Sequence, residues 1–111
     1  VAAAEMCFSG GFGADIFLGE VHYQVTSQKS QVTRRVRDDV VLFSESNSRF
    51  IVEVKKENQK EFERIFRGLP LGLIGCVAEH ERLKVYGLDS KPVIDENIWE
   101  LKEAWQKTLR F

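Results

Sequence analysis

Apolar residues arrive in short bursts along this chain, and their spacing changes from burst to burst. Residues 1–8 are helix formers that stop at Ser9-Gly10-Gly11. Glycine just past a helix is a common left-handed terminator, so the spacing predicts a helix ending there. Phe12 follows between Gly11 and Gly13, in a loop whose glycines permit positive φ or close approach of another group. Residues 14–18 read as a strand. Val21, Tyr23 and Val25 alternate with Glu20, His22 and Gln24, which predicts a second, half-exposed strand over 19–25. Residues 26–31 form a polar turn or loop. Residues 31–39 stay ambiguous, with Val32 and Val36 spaced for one helical face.

Beyond that point Phe50, Val52 and Val54 alternate with Ile51 and Glu53, predicting a strand buried mostly on both faces. Residues 57–67 read as an amphipathic helix. Phe62, Ile65 and Phe66 make its apolar stripe, and Glu63 and Arg67 are spaced for an i,i+4 pair. Gly68-Leu69-Pro70 ends it. Strands are expected over 73–77 and 82–86, joined by the polar turn Glu79-His80-Glu81, with a short edge strand over 92–94. Asn97, with Glu100 three residues on, forms a capping box for a last helix. Ile98, Leu101 and Trp105 line its inner face, and Trp99 lies off that stripe against a neighbour. Helices and strands interleave with irregular connections. That pattern favours an α/β sandwich with a mixed sheet over a doubly wound fold.

Composition sets bounds on what such a domain does. At 111 residues the chain is a single domain, 1–111, and a hydrophobic fraction of 43% with eight Phe can fill one core. Lys and Arg number 16 against 17 Asp and Glu, for a net charge of -1, so there is no basic excess for nucleic acid. The densest basic run, Arg34-Arg35-Val36-Arg37, is answered at once by Asp38-Asp39 and reads as a solvated loop or short helix face. No apolar run approaches the ~20 residues of a membrane span, and no signal-peptide pattern is present. Two widely separated cysteines amid apolar neighbours do not make a disulfide framework, which fits a reducing, cytoplasmic location. The first helix begins without a cap or an initiator Met, so the chain reads as cut from something longer.

Several candidate chemistries can be weighed. Cys76-x-x-x-His80 offers zinc ligand types, but the sequence lacks the paired spacing of a zinc site, so no metal site is assigned. Cys76 reads as core and His80 as a turn residue. Nothing makes Cys7 or Cys76 electropositive and exposed, as a reactive thiolate requires, and no catalytic residue is assigned. Gly10-Gly11 with Gly13 could cradle a phosphate, yet these glycines follow a helix, whose negative end opposes an anion. The block Ser44-Glu45-Ser46-Asn47-Ser48-Arg49 is the most suggestive. It is either a turn with a surface Glu45–Arg49 pair or a polar ligand site. In the second case Ser44 and Ser46 donate to phosphate or sugar oxygens, Glu45 accepts, and Arg49 grips an oxyanion bidentately.

Read together, the strings "AAAEMCFSGGFGADIFL", "LFSESNSRFIVEV", "KKENQKEFERIF", "IGCV" and "IWELKEAWQKTL" fall in the order of one known domain. The chain resembles the C-terminal domain shared by aminoimidazole-ribonucleotide-synthetase-like ATP enzymes. Within that family it is most similar to the last domain of the phosphoribosylformylglycinamidine synthases. The likeness covers nearly everything except about 19–39. It implies an α/β/α sandwich of partly ferredoxin-like topology, within the α+β class. It implies a full-length amidoligase that uses ATP and Mg²⁺, with ammonia from glutamine, to turn formylglycinamide ribonucleotide into its amidine. The partners implied are the remaining domains of the same chain, a glutaminase subunit and a small bridging subunit. No ligand is expected on the 111 residues alone, which could self-associate through exposed apolar surface. In the family's first copy of this domain a Ser-Glu-Ser string contacts the ribonucleotide, and Ser44, Glu45 and Ser46 match it. Phe43 and the ending look like the second copy, which often carries structural nucleotide or none. Another ATP enzyme of the same family, and a free-standing α/β interaction module, are the competing readings.

Overall fold

The computed structural model describes residues 1–21, 37–44 and 49–108. The first helix, α1 (Ala2–Gly10), ends as its sequence dictates: Gly11 takes φ 78°, and its N–H donates to the Cys7 carbonyl. The strand β1 (Gly13–Phe17) follows, then a single 3-10 turn, Leu18–Glu20. Helix α2 (Asp38–Phe43) begins on the two aspartates, whose carboxylates suit the positive end of a helix. A 3-10 turn, Lys56–Asn58, leads into α3 (Gln59–Ile65). Strands β2 (Gly75–Ala78), β3 (Arg82–Tyr86) and β4 (Pro92–Asn97) run up to α4 (Ile98–Lys107). Asn97 caps α4 by accepting from the Trp99 and Glu100 amides.

The four strands form one mixed sheet in the order β2-β1-β3-β4. β1 and β3 pair in parallel, with Ala14 opposite Leu83 and Ile16 opposite Val85. β2 and β4 are antiparallel to their neighbours. A parallel centre between antiparallel edges is the direction pattern that a partly ferredoxin-like topology requires, and the class is α+β. Alternation puts Ile16, Leu83 and Val85 on one sheet face. There they meet Cys7 and Phe8 from α1, Val41 from α2, Leu18, and Ile98 from α4 in one contiguous core. Among the described residues no helix is long and apolar enough to cross a membrane.

Several expectations fail because a local pattern lacked its tertiary partner. Residues 50–54 are not a strand: Phe50 is 88% exposed and Val52 58%, and no described strand pairs with them. Alternation describes a strand only where a neighbour takes its hydrogen bonds. The helix expected over 57–67 is shorter, and its stripe is not buried. Ile65 is 63% exposed, while Phe62 and Phe66 pack on each other at 4.6 Å. Glu63 accepts from Gln59, four residues before it, where a pair with Arg67 was expected. Cys76, read as core, is exposed, because β2 is the last strand of the sheet and has only one described flank. Trp105, placed on the inner face of α4, is half exposed, though its ring meets Phe8 at 5.7 Å. Of the strand expected over 19–25 only residues 19–21 are described, and there Leu18–Glu20 is a 3-10 turn; residues 22–36 lie outside the described residues.

Candidate functional site

Of the four residues in the candidate polar site, Ser44 and Arg49 are described, and Glu45 and Ser46 lie outside the described residues, as does the Glu45–Arg49 pair. Ser44 is the half-buried residue that closes α2, its amide donating to the Val40 carbonyl. Arg49 is exposed and reaches back: its Nη1 donates to the Ser44 carbonyl at 3.3 Å. Arg49 is therefore tied to the end of α2. One N–H of five is spent on the backbone, and among the described residues no hydrogen bond takes the other four. The exposed carbonyls at the end of α2 receive the cation they favour.

α2 is itself held in place from outside. Asp38 Oδ1 accepts from the Leu88 amide at 2.7 Å, which ties the start of the helix to the β3–β4 turn. Its neighbour Asp39 pairs with Arg37 at 2.8 Å on the surface, where the charged run reads as a solvated loop or short helix face. Val41 anchors the helix in the core.

A second polar cluster was invisible along the chain. On the sheet face opposite the core, Cys76 stands across from Asp15, and Asp15 across from Lys84. The His80 Nε2 lies 3.2 Å from both Asp15 carboxylate oxygens, 65 positions apart in sequence. Arg82 donates to Asp95 from Nε at 2.6 Å and to its carbonyl from Nη2 at 2.8 Å. That hydrogen bond holds the Asp95 carboxyl below its usual range and pushes Arg82 up. Phe17 and Tyr86, directly opposite in register, stack at 4.9 Å beside this row. Gly13 makes the arrangement possible, since a Cβ there would collide with the His80 and Arg82 carbonyl oxygens. The close approach that the glycine loop permitted is, at Gly13, to the 79–82 turn. Only the polar turn around His80 hinted at this in the sequence.

In the second cluster the ion pairs are His80–Asp15 and Arg82–Asp95, while the buried His80 Nδ1 has no hydrogen-bond partner among the described residues. Among the described residues no three His, Cys, Asp or Glu side chains gather as metal ligands. Burial pushes the Cys7 thiol up, and the Glu53 carboxylate adds to the shift, so Cys7 is a core thiol with little thiolate. A hollow of about 240 Å³ between α1 and α4 is lined by Glu5, Phe8, Ser9, Lys102 and Trp105. The Lys102 ammonium sits 5.7 Å from the Trp99 ring beside it.

The family model described as "AIR synthase related protein, C-terminal domain" matches residues 1–87. The chain is similar to the phosphoribosylformylglycinamidine synthase subunit PurL of Alkaliphilus metalliredigens (strain QYMF). They are 30% identical over 113 residues, covering 99% of this chain and 13% of that protein. It is also similar to the phosphoribosylformylglycinamidine synthase subunit PurL of Cutibacterium acnes (strain DSM 16379 / KPA171202). There the identity is 30% over 110 residues, 97% of this chain and 12% of that protein. The chain thus spans about one eighth of the length of these curated relatives. No solved structure matches. With three quarters of its length under the family model and a mixed α+β sheet of the kind that likeness implied, this chain belongs to the AIR synthase related protein C-terminal domain family.

Proposed function

We propose that this domain serves a phosphoribosylformylglycinamidine synthase, the ATP- and glutamine-dependent amidoligase that makes formylglycinamidine ribonucleotide. The observation that carries the reading is the end-to-end likeness to two PurL subunits, which runs past the family-model boundary at 87 into α4. In this reading the domain forms one wall of a nucleotide cleft. ATP, Mg²⁺ and the catalytic groups belong to other parts of the enzyme, and ammonia comes from a glutaminase partner. Ser44, Glu45, Ser46 and Arg49 form the ligand-facing bend, with Arg49 directed at a phosphate or sugar oxygen. The location is the cytoplasm.

The test is a chimera. Residues 1–111 replace the matching segment of the Alkaliphilus relative, and amidine formation is assayed with ATP, glutamine and formylglycinamide ribonucleotide. Activity within about tenfold of the parent supports the proposal, and a folded but inactive chimera overturns it. In an active chimera Arg49→Ala should raise the ribonucleotide KM severalfold while kcat holds; an unchanged KM removes Arg49 from the site. The 111 residues alone should turn over no ATP.

A second reading, another ATP enzyme of the same family, draws on the breadth of the family model's description. Activity of the chimera with aminoimidazole-type substrates, and none with formylglycinamide ribonucleotide, would favour it.

A further inference from the structure

The two edges of the sheet are built differently. β4 begins with Pro92, carries Asp95 and Glu96, and its ladder with β3 slips register at Val85/Tyr86. Proline, charge and irregular register are the devices that discourage another strand from adding to an edge. β2 and its approach have none of them. From Leu71 to Ala78 the sequence LGLIGCVA contains neither a charge nor a proline. Leu73 is 63% exposed and Val77 53%, Cys76 is exposed, and among the described strands nothing lies beyond β2.

The backbone of β2 can be oriented from its partner. The Phe17 amide donates to the Ile74 carbonyl at 2.7 Å, and Cys76 and Ala78 stand opposite Asp15 and Gly13. In an antiparallel ladder alternate residues direct both amide groups to the same neighbour. Ile74, Cys76 and Ala78 therefore address β1, and the N–H and C=O groups of Gly75 and Val77 point outward.

We propose that this open edge is a self-association site, where β2 pairs antiparallel with β2 of a second copy of the chain about a two-fold axis at Cys76. That axis sets Gly75 of each copy against Val77 of the other, so all four outward amide pairs are satisfied. It places the two Cys76 residues at a non-hydrogen-bonded position, where Cα atoms lie about 4.5 Å apart, within disulfide reach. Charge favours a second copy as the occupant. The uncharged stretch meets only itself, and Glu79 falls opposite Leu73 of the other copy, so the two Glu79 carboxylates stay apart. An isologous two-fold contact needs this kind of self-complementarity. The inference stands apart from the choice of enzyme made above.

The experiment is sedimentation of the 111-residue chain over a concentration series, with and without diamide, which takes two electrons and two protons from a thiol pair. A concentration-dependent dimer, locked by diamide through Cys76 and not Cys7, is the expected result. Val77→Pro deletes one outward N–H and leaves the β1 ladder intact; it should raise the dimer Kd at least about tenfold with an unchanged circular-dichroism spectrum. Val77→Lys should do the same, and decides the matter if the proline variant does not fold. A monomer at every concentration, or a dimer indifferent to both folded variants, overturns the proposal.

Discussion

Ile98 is fully buried: it is 0% exposed and its amide donates to the Glu81 carbonyl at 3.1 Å, so it pins α4 to the turn ahead of β3. Truncation to Ile98→Ala leaves a cavity that surrounding helices cannot close, and should cost about 2–5 kcal/mol. A domain is stable by only about 5–15 kcal/mol, so a urea midpoint read by Trp fluorescence will show the loss clearly. The two cysteines make the opposite point. Both sit among apolar letters, yet Cys7 is 6% exposed and Cys76 lies on the surface. Cys7, buried and with its thiol pushed up, should stay unlabelled by iodoacetamide at neutral pH until denaturant is added. Native labelling at Cys7, mapped by mass spectrometry, would contradict the packing of α1.

At the scale of elements, those whose ends are written locally were legible. α1 stops at a left-handed glycine and α4 starts on an asparagine cap, both because the groups that satisfy the helix ends lie within three or four residues. β3, an alternating run between two turns, lies over Arg82–Tyr86 as its pattern predicts. α2 was missed, although Asp38-Asp39 ahead of an apolar run was its signal. Six residues hold little helix by propensity alone, and what fixes this one is the bond from the Leu88 amide to Asp38. Asp38→Ala removes that tie and should cost about 0.5–1.5 kcal/mol. Hydrogen exchange should quicken in residues 38–44 and at Leu88 while β1 and β3 keep their protection; uniform loosening would mean that the tie is not local.

For the whole molecule, acid is the informative variable. The Asp95 carboxyl is held down by its hydrogen bond from Arg82, and Glu61 by Arg64. With folded pKa values below the unfolded ones, the unfolded chain binds protons first as pH falls. The stability these groups give is present above the ordinary carboxylate range, about pH 4, and is lost as pH falls through the depressed native values. Both pairs are exposed, so the effect is small and salt-sensitive. Asp95→Asn should flatten part of the acid limb of an unfolding curve measured from pH 5 to pH 2, and leave neutral stability nearly unchanged. An identical limb in the variant would show the Arg82 bond to be idle.

The sequence by itself determined the helix ends, the β3 segment, the acidic and basic balance and the family, since each depends on neighbouring residues or on the order of short strings. It also marked the Ser44 to Arg49 bend as unusual, though not that Arg49 would close on the Ser44 carbonyl. Only the tertiary structure decided which apolar runs are buried, that Cys76 lies at an edge, and that His80 meets Asp15 across 65 residues. The physical reason is common to all three. Burial and cross-strand pairing are properties of two segments at once, and a pattern along one segment does not name the other.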